Sequence, residues 1–119
     1  EQAQYRPRVT YSITQKGKKY LRTLIYDSLT EFSLSYPSSL YAGISLCDKL
    51  TSDEVYTALE SQLKRLDIEY ESVMKGWKEK CEAMNNDVAP MVKLVFDNMF
   101  AMIRQQQDFI KKVLDCLET

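Results

Sequence analysis

The chain has 119 residues, 45% apolar and 28% charged, which is enough for one small domain with a core but too little to cover long helices on every side. It contains no His and only three scattered Gly, which excludes imidazole acid–base chemistry, a His-containing zinc site and a Gly-rich phosphate loop. The net charge of −1 conceals an asymmetry: residues 1–22 carry six basic side chains and one acidic, while residues 23–119 carry ten basic and sixteen acidic.

In chain order, Val9, Tyr11 and Ile13 alternate with Thr10 and Ser12, a period-two run that predicts one short, half-buried strand. Thr14 then offers an N-cap oxygen to a backbone N–H two or three residues on, and Tyr20, Leu21, Leu24 and Ile25 begin an apolar stripe at helical spacing. Gly17 falls in the first turn of that helix, where it costs about 1 kcal/mol relative to Ala. The helix is expected to run from about Gln15 to Phe32, and a serine-rich loop with Pro37 follows. Leu40, Tyr41, Ile44, Leu46 and Cys47 predict a short apolar helix ending near Leu50.

Thr51 or Ser52 caps a third helix, with Asp53 and Glu54 in its first turn, where their charge complements the helix dipole. Val55, Leu59, Leu63, Leu66, Tyr70, Val73, Trp77, Cys81 and Met84 recur at steps of three and four, which predicts about 33 helical residues spanning roughly 50 Å. Asn85-Asn86-Asp87 breaks the pattern, and Pro90 suits the first turn of a last helix. In that helix Val92, Val95, Met99, Met102, Ile103, Ile110, Val113 and Leu117 follow one stripe. Leu94, Phe96, Phe100, Phe109 and Leu114 widen it beyond the arc of an ordinary surface helix. The expected fold is mainly α, with about four helices, the two long C-terminal ones forming a dimeric helical bundle.

Arg6-Pro7-Arg8, Tyr11 and Ile13-Thr14-Gln15-Lys16-Gly17 together resemble the wing and following helix of PadR-like winged helix-turn-helix transcriptional regulators. Pro37-Ser-Ser-Leu-Tyr, Leu50-Thr-Ser-Asp-Glu and the two long segments after them fit the helical C-terminal domain of that family. The resemblance implies a division into residues 1–22, the wing strand and the start of a linking helix, and residues 23–119, a helical dimerisation and effector domain. It also implies a recognition helix ahead of the wing, which these 119 residues do not contain, and Gln4-Tyr5 stands where the family often has Gly.

Arg6, Arg8 and Lys16 are the candidate DNA contacts, since cations on a wing meet phosphates and an Arg pair suits a narrow minor groove. The alternative for Lys16, with Lys18, Lys19 and Arg22, is the solvated face of a helix. Val92, Val95, Phe96, Met99, Ile103, Ile110, Val113 and Leu117 are the candidate homodimer interface, because so broad an apolar face needs cover on more than one side. Met74, Trp77, Phe100 and Met102 are soft or flat groups suited to a pocket for a small apolar or aromatic effector, against the plainer reading of core or dimer seam.

No catalytic residue, cofactor or metal site is expected. Asp67 and Glu71, at i and i+4, read as a solvated face. Cys47, Cys81 and Cys116 have neither C-x-x-C spacing nor a His partner and read as reduced, mostly buried thiols. No apolar run approaches the roughly 18 residues of a membrane span and no signal pattern opens the chain, so a cytoplasmic protein is expected. Two functions follow: the C-terminal dimerisation and ligand-sensing part of a PadR-like regulator, whose full-length form binds operator DNA, or a helical protein-interaction adaptor whose basic N-terminal arm is incidental.

Overall fold

A computed structural model of the chain describes residues 12–32, 34 and 38–118. Val9, Thr10 and Tyr11 of the expected strand lie outside the described residues, as do Arg6 and Arg8. Ser12 and Ile13 belong to no helix or strand, and the described residues contain no strand at all. The fold is mainly α: α1 (Gln15–Thr30), α2 (Ser38–Ser45), a single 3-10 turn (Cys47–Lys49), α3 (Ser52–Ala83) and α4 (Pro90–Leu117). The chain divides into two units, residues 1–38 and 39–119.

In the first unit, the Thr14 hydroxyl accepts a hydrogen bond from the Gly17 N–H at 2.9 Å and so caps α1. A Cβ on Gly17 would meet the Ile13 side chain at 3.0 Å and the Thr14 hydroxyl at 3.2 Å, so the cap itself favours glycine there. Among the described residues of its unit none buries the apolar stripe of α1: Tyr20, Leu24, Ile25 and Leu29 are all exposed, Leu29 to 79%.

The second unit is built on an antiparallel hairpin of the two long helices. Thr51 closes a full capping box with Glu54: its hydroxyl accepts from the Glu54 N–H at 3.1 Å, and its own N–H donates to the Glu54 carboxylate at 2.9 Å. No Pro or Gly pair interrupts α3 over its 32 residues. It stops where Asn85 and Asn86 take left-handed φ values of 53° and 64°, a conformation Asn tolerates better than other non-glycine residues. The Asn86 N–H reaches back to the Cys81 carbonyl at 2.7 Å, which satisfies one of the carbonyls the helix end leaves open. Pro90 then starts α4, where its missing N–H would have had no intrahelical partner.

Side-chain pairs set the register of the hairpin. Moving up α3, Tyr56 meets Glu118, Asp67 meets Gln107, Tyr70 meets Arg104 and Trp77 meets Phe96, so partners descend α4 as they ascend α3. Val55 and Leu59 of α3 and Ile110 and Leu114 of α4 form the core at the open end of the hairpin, and Ile110 has no exposed surface. Leu40 and Cys47, from α2 and the 3-10 turn, pack against this cluster. The Tyr41 ring meets Phe109 edge-on with centroids 5.9 Å apart. Ile103 is the one other buried apolar residue among the described residues.

Candidate functional site

The breadth of the apolar face on α4 is resolved into three surfaces. The first faces α3: Ile103, Ile110 and Leu114 are buried there, and Phe96 stacks on Trp77 with ring centroids 5.2 Å apart. Val92 and Met99 are half-buried, as is Val113, which packs on the core cluster. The second surface, at the C-terminal half of α4, is covered by α2 through Phe109. The third is the outer face of the N-terminal half, and nothing in this unit covers it. Met91, Val95, Asn98 and Met102 recur there at steps of four, three and four, with Leu94 beside them. Met91 is 80% exposed, Leu94 65%, Val95 57% and Met102 62%.

The eight residues of the candidate dimer stripe therefore fall in different places. Ile103 and Ile110 are spent inside the chain, Phe96, Val92, Met99 and Val113 are half-buried, and Val95 and Leu117 are exposed. Periodicity finds the stripe but cannot divide it, because one helical face looks the same whether its cover is α3 or another molecule. Met91 and Leu94, absent from that set, belong to the uncovered surface; their spacing to Val95 and Asn98 is the signal that marks them.

The four candidate pocket residues, Met74, Trp77, Phe100 and Met102, are placed along the α3–α4 seam and its outer edge. Trp77 is occupied by Phe96, and Phe100 packs on Tyr70 with centroids 5.1 Å apart. Arg104 sits over the Tyr70 ring at 4.7 Å and donates to its phenol oxygen at 2.8 Å. Met74 is half-buried, while Met102 is exposed and its sulfur accepts from the Asn98 amide at 3.6 Å. These aromatic pairs stitch α3 to α4 toward the turn, where no residue is fully buried.

A cavity of about 300 Å³ lies instead at the other end, between α2 and the hairpin. Leu40, Ile44, Cys47 and Leu50 line one wall, Val55, Leu59 and Gln62 the other, and Val113 contributes from α4. Lys16, the one described residue of the candidate DNA contacts, is exposed in the first turn of α1.

Among the described residues no cluster of His, Cys, Asp or Glu is arranged to hold a metal, and no helix is long and apolar enough to cross a membrane. Asp67 accepts from Gln107 at 2.9 Å across the hairpin, so it is part of the seam rather than of a purely solvated face. Cys47 and Cys81 are half-buried, whereas Cys116 is exposed, because it lies in the last turn of α4 where cover runs out.

At the end of the hairpin the Tyr56 phenol donates to the Glu118 carboxylate at 3.0 Å and lies 3.4 Å from the Leu114 carbonyl. Loss of hydration raises its pKa above the ordinary 10.0, and the hydrogen bond to Glu118 and the negative charges of Glu118 and Asp115 raise it further.

Fold and site together define a helical-hairpin domain with an uncovered apolar stripe and a separate apolar cavity. No family model, curated protein or solved structure matches the chain.

Proposed function

We propose that residues 39–119 pair two copies of a PadR-like winged-helix regulator, and that they pair through the outer stripe of α4. The observation that carries this is the exposure of Met91, Leu94, Val95 and Met102 on one continuous helical face. From their fractional exposures and ordinary residue areas the patch amounts to on the order of 500 Å², at the upper end of what a monomer leaves uncovered. Two such patches, one on each copy, would bury about 1,000 Å² in total, the size at which a specific interface becomes stable. The face is self-complementary in character, as a two-fold interface requires, and two-fold pairing is what a palindromic operator asks of a winged-helix protein.

The regulator part of this reading rests on the wing-like residues Arg6-Pro7-Arg8 and Ile13 to Gly17 and on the basic charge of residues 1–22. Sedimentation of the chain at tens of micromolar tests the pairing. A dimer is expected, and the double variant Leu94→Glu, Val95→Glu is expected to sediment as a folded monomer. A monomeric wild-type chain overturns the proposal. DNA binding by these residues alone is expected to be weak, salt-sensitive and indifferent to sequence, since base edges are read by a recognition helix. Tight operator-specific binding by the 119 residues would contradict the assignment.

A further inference from the structure

The cavity between α2 and the hairpin is the least explained feature of the domain. It borders the best-buried part of the molecule, yet α2 closes over it only partly. Gly43 lines it, and a Cβ built there would meet nothing within 4 Å. Among the described residues that line it, none is charged, and only Ser39 and Gln62 bring side-chain hydrogen-bonding oxygen or nitrogen. An apolar space of this size that is open on one side admits water, but its lining offers that water few hydrogen bonds, so filling it with apolar atoms is favourable.

We infer that this cavity is a binding site for an uncharged, two-ring apolar molecule carrying one hydrogen-bonding group, which Gln62 or Ser39 meets at the rim. Size sets the first part of that class. An apolar cavity of about 150 Å³ holds one benzene ring, and this one is about twice as large. The charge-free lining sets the second part, since a carboxylate or ammonium placed there would lose its hydration with no counter-charge to offset it. A small molecule suits the site better than a helix of another copy. The space is bounded at one end by Val113 and on both sides by residues of this same unit, and it is not a groove running the length of a helix. The inference stands apart from the pairing of α4, whose exposed stripe contributes no lining residue.

The test uses 2-naphthol as the probe, 2-naphthoate as its charged counterpart, and the intrinsic thiols as reporters. Cys47 lines the cavity and Cys81 does not. Iodoacetamide labelling, read residue by residue by mass spectrometry, should slow at Cys47 by about tenfold when free 2-naphthol is at ten times its Kd. Labelling at Cys81 should not change, and the melting temperature should rise. In Gly43→Leu the new side chain enters open space on a helix, so the protein should fold, and both effects of 2-naphthol should vanish. The naphthoate should leave labelling and melting unchanged.

Four results would overturn the inference: no protection of Cys47 up to the solubility limit of 2-naphthol, equal protection in folded Gly43→Leu, equal protection by 2-naphthoate, or labelling of Cys47 that slows with protein concentration alone. The last would show a second copy seated on the cavity. None of the four bears on whether the Leu94→Glu, Val95→Glu variant is monomeric, so the two proposals fail separately.

Discussion

Ile110→Ala probes whether the hairpin is closed within one chain. Ile110 has no exposed surface and touches the cluster of Val55, Leu59 and Leu114. The substitution removes three side-chain carbons, and at about 0.8 kcal/mol per buried carbon the lost transfer energy is roughly 2.4 kcal/mol. If nothing relaxes, the space left is on the order of 80 Å³, which at about 24 cal/mol per Å³ adds roughly 2 kcal/mol. The neighbouring cavity gives the site room to readjust, so the expected loss is about 3 kcal/mol, toward the lower part of that range. With a urea m-value of about 1.5 kcal/mol/M, the midpoint of unfolding should fall by roughly 2 M. The assay is urea unfolding followed by circular dichroism at two protein concentrations, which separates intrachain stability from pairing. A loss below about 1 kcal/mol would refute the closed hairpin, because a fully buried Ile cannot be truncated so cheaply. It would mean that α4 leaves α3 in solution and packs elsewhere.

Thr51→Ala removes the hydroxyl that accepts from the Glu54 N–H while leaving the backbone N–H of residue 51 to donate to the Glu54 carboxylate, and should cost about 1 kcal/mol in the same unfolding assay, with the largest gain in hydrogen exchange confined to the first turn of α3. Gly43→Ala places a methyl group in open space on α2, so it should stabilise by about 0.5–1 kcal/mol; a loss of stability would show that the space beside Gly43 is filled in solution. Tyr56 contributes to the alkaline limb of the stability curve. Its folded pKa is raised above 10.0, so the neutral phenol's contribution is complete below about pH 10 and disappears as pH climbs through the folded value. Tyr56→Phe should therefore lose less stability than wild type as pH rises above the ordinary phenol value of 10.0, and identical losses in both proteins would count against the Glu118 contact.

The starts of the long helices were legible in the sequence because helix caps act locally, whereas α1 stops at Thr30 rather than near Phe32, and the short apolar helix stops at Ser45 and gives way to the 3-10 turn at Cys47–Lys49 rather than running to Leu50. Thr14 and Gly17, Thr51 and Glu54, the Asn85-Asn86 pair and Pro90 each act through hydrogen bonds or dihedral preferences within a few residues, and each lies where the chain alone predicts it. The breadth of the apolar face on α4 was equally plain, since it needs only the 3.6-residue repeat. What covers that face could not be read the same way. Ile103 and Ile110 have the same spacing and character as Val95 and Met102, yet the first two are buried against α3 and the latter two are exposed. The choice depends on the register of two helices whose contacting residues are from about 19 to more than 60 positions apart, as in the Trp77–Phe96 and Tyr56–Glu118 pairs.

The cavity lies further still from sequence reasoning. It exists because a glycine on α2, a thiol on the 3-10 turn, four residues of α3 and Val113 of α4 converge without filling the space between them. Composition and periodicity determined that this protein is helical, where its two long helices start, and that it carries more apolar surface than one helix can hide. Only the tertiary structure decided which part of that surface is core, which part stays open on α4, and that an apolar hollow lies beside α2 rather than around Trp77. Burial and cavities are properties of how distant side chains meet, and no local pattern encodes that meeting.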